Sequence, residues 1–364
     1  MIYNSTDEIL QQLSYSKANF ETVIDGKKTM LFTLKNSNGM VVTLTNCGAR
    51  IVSIFVPDNN GKFADVVLGF NSISDYQQNE PTHGAVVGPY ANRIAGARFR
   101  IGDKEYLLPQ NDGENCLHSG PESWYRKVWD SKIEPDAVRF TIRSCDGEYG
   151  FSGNITASVT YKLTDQNELI LEYQASTDKT THINLTNHAY FNLKGEGNGD
   201  ILNHQLQINA DHYTPIIDSR MIPTGEIAEL AGTPLDFRKP YRIGERINQD
   251  HPQLQWARGY DFNYVLNKGG NELGLAALLY EPESGRIMEL YTTEPALQLY
   301  TGNFLDSKER GKSGNFYQPY SGLCLETQHF PNSPNQPNFP STILSHEQQF
   351  RSITLFKFNR LIVY

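Results

Sequence analysis

The sequence is poor in cysteine and contains no paired cysteine motif. Cys47, Cys116, Cys145 and Cys324 are the four cysteines among 364 residues, and no two have the spacing Cys-x-x-Cys. This scarcity disfavours both a disulfide scaffold and a zinc ribbon, so we interpret all four as free thiols. His-x-His pairs and the His-Glu-x-x-His motif are also missing, and we expect the protein to use no metal.

Long apolar runs and an excess of basic residues are missing as well. The longest apolar run, residues 273–280, is far shorter than the roughly 20 residues that a membrane span needs, so no membrane association is expected. The 32 basic and 41 acidic side chains give a net charge of −9, which argues against a nucleic-acid partner. The first residues show neither the basic nor the apolar segment of a secretory signal, and a cytoplasmic location is therefore expected.

Three common catalytic motifs are absent. The sequence has no Gly-x-Ser-x-Gly elbow, no phosphate-binding Gly-x-x-x-x-Gly-Lys loop and no Gly-x-Gly-x-x-Gly between a strand and a helix. The glycine-rich residues 195–199 lie between two predicted strands, which indicates a turn. Hydrolase and nucleotide-binding functions are therefore disfavoured.

Segments with alternating or β-branched composition recur along the whole chain and predict strands. They cover residues 29–34, 41–45, 50–56, 65–70, 138–143, 155–162, 169–175, 182–191, 205–209, 286–292, 296–301, 322–328 and 352–358. Helical signals are few: a capping box at Ser5 and Glu8 predicts a short helix to about Leu13, and residues 73–78 predict another. The pattern predicts an all-β protein, a large antiparallel β-sandwich in one domain over residues 1–364, with residues 1–20 as an N-terminal extension.

One polar stretch, residues 181–193, carries an unusual set of side chains. If it forms a continuous strand, its even positions share one face, and the odd positions line an apolar face. The even positions are His182, Asn184, Thr186, His188, Tyr190 and Asn192. Such a face is either solvated or part of a sugar cleft, because rings stack on apolar sugar faces while amides and imidazoles match hydroxyls.

A second stretch, residues 322–331, places Cys324, Glu326 and Gln328 on one face of a predicted strand that ends in a proline-rich loop. Glu326 is either paired structurally or part of a site. His118 lies in a turn-rich loop, and Arg93 and Asp261 lie in other turn-like segments. Each of these residues, taken alone, is typical of a structural anchor.

Taken together, ordered blocks of the sequence resemble the aldose 1-epimerase family, the galactose mutarotases. The blocks are residues 65–70, 91–94, 117–118, 185–193, 211–215, 222–226, 233–237, 259–261, 299–304, 325–328 and 338–340. The resemblance covers nearly the whole chain and implies the family fold, a galactose mutarotase-like supersandwich with an open sugar cleft.

The resemblance also implies residue roles. Glu326 would be the general base and His188 the general acid, which together open the ring of a free aldohexose such as galactose or glucose. His118, Arg93 and Asp261 match the residues that bind the sugar, and Asn92 and Gln298 are weaker matches. The reaction is redox-neutral, so the resemblance implies a monosaccharide partner and no cofactor, in a monomer or homodimer.

Two of the departures from the family pattern directly follow the blocks at 117–118 and 259–261. Ser119 stands where a glycine is usual, and Phe262 stands where a histidine is usual. Phe262 would alter either sugar preference or only packing. Three alternatives share the sandwich: a non-catalytic carbohydrate-binding protein, a hexose-6-phosphate 1-epimerase using Arg93, Arg98 and Arg126, and a sugar lyase or hydrolase.

Overall fold

The computed structural model describes residues 15–79 and 82–361, and these residues are predominantly antiparallel β-structure. The all-β fold class is confirmed.

The predicted helix from Ser5 to Leu13 lies outside the described residues. Within them, the α-helices are Ile73–Gln78 and Pro252–Ala257, neither long enough to cross a membrane. Ile73–Gln78 matches its prediction, and the Ser72 hydroxyl caps it by accepting a 3.1 Å hydrogen bond from the Asp75 amide. Short 3₁₀ turns are Lys17–Phe20, Ala95–Ala97, Trp124–Arg126, Glu148–Gly150, Ile243–Glu245 and Ser333–Asn335.

The largest sheet has nine antiparallel strands. In spatial order they are Asp130–Glu134, Ala137–Ser144, Ile155–Leu163, Glu168–Thr177, Phe350–Arg360, Arg286–Thr292, Gly274–Tyr280, Gln205–Ile208 and Tyr241–Arg242. Burial alternates along the central strands, as expected for a sheet with one face on the core. In Phe350–Arg360, for example, Ser352, Thr354, Phe356 and Phe358 are the buried residues.

A six-stranded sheet packs against the inner face of the nine-stranded one. Its strands, in order, are Tyr190–Phe191, Leu323–Gln328, Ala296–Tyr300, Asp261–Leu266, Ala210–Thr214 and Ala228–Glu229. Phe191 meets Phe356 across the interface with ring centroids 5.0 Å apart, and the Thr327 and Thr354 hydroxyls are 2.5 Å apart. Thr327 therefore faces the core, and the alternation turns Cys324, Glu326 and Gln328 to the opposite face of this sheet.

Smaller sheets complete the fold. A four-stranded sheet contains Leu31–Lys35, Val41–Thr45, Arg50–Pro57 and Phe63–Asp65. Five two-stranded pairs are Val23–Ile24 with Lys27–Lys28, Arg93–Ile94 with Cys116–Leu117, Arg98–Ile101 with Lys104–Leu107, Thr181–His182 with Ile343–Leu344, and Val86–Val87 with Thr186–Asn187. The pair formed by Arg93–Ile94 and Cys116–Leu117 brings two distant segments of the chain to the same edge of the site.

The prediction of one continuous strand over residues 182–191 is wrong. The segment contains three two-residue strands that belong to three different sheets, and every residue from 181 to 193 is buried. Its amides bind the backbone of other segments: Asn184 Nδ2 donates to Ala91 O, Asn187 Nδ2 to Gly84 O, and Asn192 Nδ2 to Ser321 O. These bonds satisfy buried carbonyls where the chain crosses between sheets, so the even positions do not form one solvated face.

Other strand predictions differ in detail. Val41–Thr45 and Arg286–Thr292 match their predictions in full. The predicted strand at 65–70 is wrong because the strand ends at Asp65, and beyond it only Val67 forms an isolated bridge, to Phe191. Asp261–Leu266 and Gly274–Tyr280 were not predicted, because the first is almost entirely buried and both are apolar or mixed runs without a clear period of two.

Candidate active site

A cavity of about 200 Å³ lies on the face of the six-stranded sheet that points away from the nine-stranded one. Strands and loops from several segments of the chain surround it. Its lining residues are Thr82, Asn92, Arg93, Leu117, His118, His188, Tyr190, Asp261, Tyr300, Phe304 and Glu326. The structure therefore brings together six of the seven residues that the sequence analysis singled out.

Glu326 lies in the middle of Leu323–Gln328 and pairs with Gln298 on the next strand. Its side chain is 3% exposed, and its Oε2 atom has no hydrogen-bond partner among the described residues. Burial raises the pKa of Glu326 well above its usual range, and the nearby Asp261 raises it further while Arg93 lowers it. A buried carboxyl with a free oxygen is equipped to exchange a proton with a ligand.

His188 faces Glu326 across 3.6 Å, measured from Nε2 to Oε1. Its backbone is fixed on both sides, because its amide donates to Ala85 O and its carbonyl accepts from the Gly84 amide, both at 2.9 Å. Burial lowers the pKa of His188 to about 4. Burial thus disfavours the charged form of both groups, and at this separation they titrate as one coupled pair.

His118 stands beside His188, with ring centroids 5.4 Å apart and the rings nearly perpendicular. Its Nδ1 accepts a hydrogen bond of 3.1 Å from the Asn92 amide, and its own amide donates to Asn92 O. Burial lowers the pKa of His118 well below its usual value, with His188 and Arg93 as further causes. A neutral His118 with an occupied Nδ1 carries its proton on Nε2, which makes it a hydrogen-bond donor.

The protonation of His118 on Nε2 also affects whether the cavity suits a metal ion. Ligand atoms of His118, His188 and Glu326 lie within 4.8 Å of one another, a spacing that could hold a metal ion. A histidine that ligates through Nε2 needs a lone pair there, and donates its Nδ1 proton to an acceptor. Because Nδ1 of His118 faces an N–H donor, the site suits a hydroxyl-bearing ligand better than a metal.

Arg93 and Asp261 supply charge at the cavity wall. Arg93 Nε donates to Asp112 Oδ2 at 2.7 Å, which orients the guanidinium. Asp261 begins the strand Asp261–Leu266, and burial raises its pKa. Gln298 is not among the residues that line the cavity, and its Nε2 donates to Asp261 Oδ1 at 2.6 Å. Its contact with the carboxylate makes it a support for Asp261.

An aromatic wall also lines the cavity, and of its three rings the sequence had indicated only Tyr190. Tyr190 and Tyr300 meet edge to face with centroids 5.9 Å apart, and Phe304 lies nearly parallel to Tyr300 at 6.3 Å. Phe304 is 49% exposed, which is unusual for a large apolar side chain beside a polar cavity. Tyr300 and Phe304 both lie in residues 299–304, one of the blocks that carry the family resemblance.

The structure also explains what the two departures do. Ser119 Oγ accepts from the Tyr90 amide at 2.8 Å and donates to the Tyr90 carbonyl at 3.0 Å, so it ties the His118 loop to a neighbouring segment. It does so at a φ of +65°, a conformation that favours glycine. Phe262 is buried in the core on the face of its strand opposite Asp261, so its role is packing.

Comparisons with known proteins agree with this geometry. The family model for aldose 1-epimerase matches residues 30–357. The chain is 43% identical to galactose mutarotase from Rattus norvegicus, over 89% of this chain and 92% of that one. It is 38% identical to aldose 1-epimerase from Escherichia coli K12, over 92% and 96%. The crystal structure of galactose 1-epimerase from Lactobacillus acidophilus superposes with a TM-score of 0.81, at 32% identity over 93% and 97%.

Proposed function

The chain belongs to the aldose 1-epimerase family, and from that premise we propose that Glu326 and His188 are the proton-transferring pair of this mutarotase. The enzyme interconverts the α and β anomers of free aldohexoses such as galactose and glucose. The observation that carries the proposal is the approach of the two buried groups to 3.6 Å on the wall of one cavity. Mutarotation needs two proton transfers at oxygens bound to the same carbon, and a pair at this spacing can reach both.

The pair shares one proton, and the proposed cycle begins in the arrangement in which that proton lies on His188 and Glu326 is anionic. Glu326 takes the proton of the anomeric O1 hydroxyl while His188 Nε2 gives its proton to the ring oxygen O5. The C1–O5 bond breaks, a C1=O1 double bond forms, and the open-chain aldehyde rotates about C1–C2. The reverse transfers then close the other anomer. The pair holds one proton before opening and one after it, so the reaction needs no external acid or base.

The other lining residues fit sugar recognition. Arg93 and Asp261 present a cation and a carboxyl to hydroxyls, and His118 presents an N–H donor. Asn92 lines the cavity and fixes His118 through its backbone. Tyr190, Tyr300 and Phe304 offer ring surface to the apolar face of a pyranose. This mixture of polar donors and aromatic faces is typical of a small hydroxylated ligand.

A phosphorylated substrate is disfavoured. Of the three arginines considered for it, only Arg93 lines the cavity. Arg126 is engaged with the carbonyls of Pro121 and Gln77. Two acidic side chains, Asp261 and Glu326, face the same space and would repel a phosphate.

Three further expectations stay predictions. They are a cytoplasmic location, a single domain, and a monomeric or homodimeric state.

Substitution of the two residues tests the roles. Glu326→Gln and His188→Asn should each lower kcat by about 10²–10⁴-fold, because each removes one positioned proton transfer. The measurement is polarimetry of freshly dissolved α-D-galactose or α-D-glucose, corrected for the spontaneous rate. Folding is checked by circular dichroism.

Matched controls come from buried residues of the same type outside the site. Glu281→Gln and His204→Asn change a carboxyl and an imidazole that are each 1% exposed and do not line the cavity. They should retain the wild-type rate at a temperature where the variants are folded. Near wild-type rates in both site variants would overturn the assignment, and a protein that binds sugar without accelerating mutarotation would be a carbohydrate-binding protein.

A further inference from the structure

Cys324 lies directly behind the His188 imidazole. Its Sγ atom is 3.4 Å from His188 Nδ1, and the residue is fully buried. Cys324 precedes Glu326 by two residues on the strand Leu323–Gln328, so both side chains point to the cavity face of the sheet. The strand Leu323–Gln328 therefore supplies both the carboxyl group that faces the His188 imidazole and the thiol that contacts its Nδ1 atom.

The other contacts of the His188 ring do not fix which nitrogen faces the cavity. His118 and Tyr190 touch the ring, with centroids 5.4 and 5.1 Å away, but these are ring-to-ring contacts. The backbone carbonyl of His188 accepts a hydrogen bond from the Gly84 amide. Among the described residues, the Cys324 thiol is the side-chain hydrogen-bond partner of Nδ1.

We propose that Cys324 is a positioning residue for His188: its thiol occupies Nδ1 in both protonation states, so that Nε2 remains the nitrogen that exchanges protons with the sugar. The inference rests on the proposed function of His188. A thiol suits this task because its sulfur is a weak hydrogen-bond acceptor. The sulfur accepts from Nδ1–H in the imidazolium, and it also accepts from Nδ1–H in the neutral imidazole that remains after Nε2 has given its proton to the sugar.

A carboxylate in the same place would behave differently. It would stabilise the imidazolium and hold its Nδ1 proton, as carboxylate partners of histidine do. A pair that must pass one proton back and forth in each catalytic cycle gains from a partner that favours neither state strongly. The burial of Cys324 and the absence of an acidic side chain on Nδ1 in the described part of the chain agree with this requirement.

Kinetics of Cys324→Ala and Cys324→Ser test the proposal. Serine keeps a group that both donates and accepts, whereas alanine keeps neither. We expect Cys324→Ala to lower kcat by roughly fivefold to tenfold with KM little changed, and Cys324→Ser to stay closer to the wild-type kcat. Cys47→Ala and Cys47→Ser are the matched controls, because Cys47 is also a buried thiol and does not line the cavity.

An effect on stability alone would rank Cys324→Ala and Cys324→Ser in the opposite order. Burying a serine hydroxyl costs more than burying an alanine methyl group, so packing alone predicts that Cys324→Ser is the poorer variant. Recovery of kcat in Cys324→Ser over Cys324→Ala therefore supports the hydrogen-bonding role. Equal loss of kcat in two folded variants, or no loss in Cys324→Ala, would overturn it.

Nitrogen NMR of ¹⁵N-histidine-labelled protein provides a readout that does not depend on activity. The His188 signals are assigned by their disappearance in His188→Asn, and His118 is the internal reference. The wild type should show neutral His188 protonated on Nδ1, and Cys324→Ala should show a mixture of the two tautomers. An unchanged pattern in Cys324→Ala would overturn the inference. A wild-type rate in His188→Asn would instead show that the proposed function itself is wrong.

Discussion

At the scale of single residues, the site is organised around one shared proton. Glu326 and His188 are both buried, and burial shifts their pKa values toward each other's usual range. These shifts reverse the usual order of proton affinity, so the carboxyl competes with the imidazole for the single proton that the pair shares.

The pH dependence of kcat/KM should reflect this arrangement. At low pH a second proton joins the pair and removes the base, and this limb should lie near the lowered His188 pKa of about 4. At high pH the last proton leaves and removes the acid, and burial of Glu326 moves this limb above the usual carboxyl range. A bell-shaped profile with a wide plateau is expected from polarimetry across pH.

The pH at which activity is lost distinguishes the coupled pair from a single histidine. An ordinary histidine acting alone loses its proton near pH 6.5, so activity limited by such a group would fall as pH rises through that value. A fall through pH 6.5 with no loss of activity on acidification toward pH 4 would contradict the coupled pair. The His118→Asn variant should keep the shape of the profile, since His118 already donates from a fixed tautomer.

At the scale of elements, alternation along Leu323–Gln328 determines which side chains reach the cavity. The strand was predicted, and so was the shared face of Cys324, Glu326 and Gln328. The opposite case is the segment at 181–193, where sequence periodicity suggested one strand and the structure has three. A single sequence shows which residues are polar, but not that their partners are backbone carbonyls in segments far along the chain.

The site residues likewise divide into those that the sequence identified and those that it did not. The resemblance identified Glu326, His188, His118, Arg93, Asp261 and Asn92, which all line the cavity. The weaker match, Gln298, contacts Asp261, and its role in sugar binding stays a prediction. Tyr300 and Phe304 of the aromatic wall were not predicted, because a tyrosine or phenylalanine in a strand or loop is usually part of the core, and only three-dimensional packing shows that Phe304 is exposed at the rim.

The loop between Tyr300 and Leu323, which carries Phe304, is anchored by a buried ion pair. Lys312 Nζ lies 2.6 Å from Asp65 Oδ2, and it also donates to Ser53 Oγ at 3.1 Å. The Lys312→Met variant leaves Asp65 buried without its cation. We expect a loss of about 3–5 kcal/mol in the free energy of unfolding, measured by urea denaturation.

Lys308→Met is the control for that measurement. Lys308 pairs with Asp306 in the same loop, but its side chain is 82% exposed. Exposed pairs contribute little, so this variant should stay within about 0.5 kcal/mol of the wild type. Similar unfolding midpoints for the two variants would show that the buried pair does not hold the loop.

At the scale of the whole molecule, the cavity depends on the packing of two sheets. Phe356 lies on a central strand of the nine-stranded sheet and meets Phe191, next to Tyr190 of the aromatic wall. The Phe356→Ala variant should lose about 3–5 kcal/mol in the free energy of unfolding, because the cavity left between the sheets cannot close fully.

The edge of the same sheet provides the comparison. Ile133 on Asp130–Glu134 is 70% exposed, so Ile133→Ala should change the free energy of unfolding by less than about 0.5 kcal/mol. Urea denaturation followed by tryptophan fluorescence measures both variants. Equal losses at the two positions would contradict the assignment of the interface between the sheets as the main core.

The position of Phe350–Arg360 has a consequence for biosynthesis. It is the last described strand in chain order, yet it lies in the middle of the nine-stranded sheet, between Glu168–Thr177 and Arg286–Thr292. On the ribosome, both neighbours emerge long before the strand that joins them, and each exposes an unpaired edge in the meantime. We therefore expect nascent chains to need protection by chaperones until translation has passed residue 360.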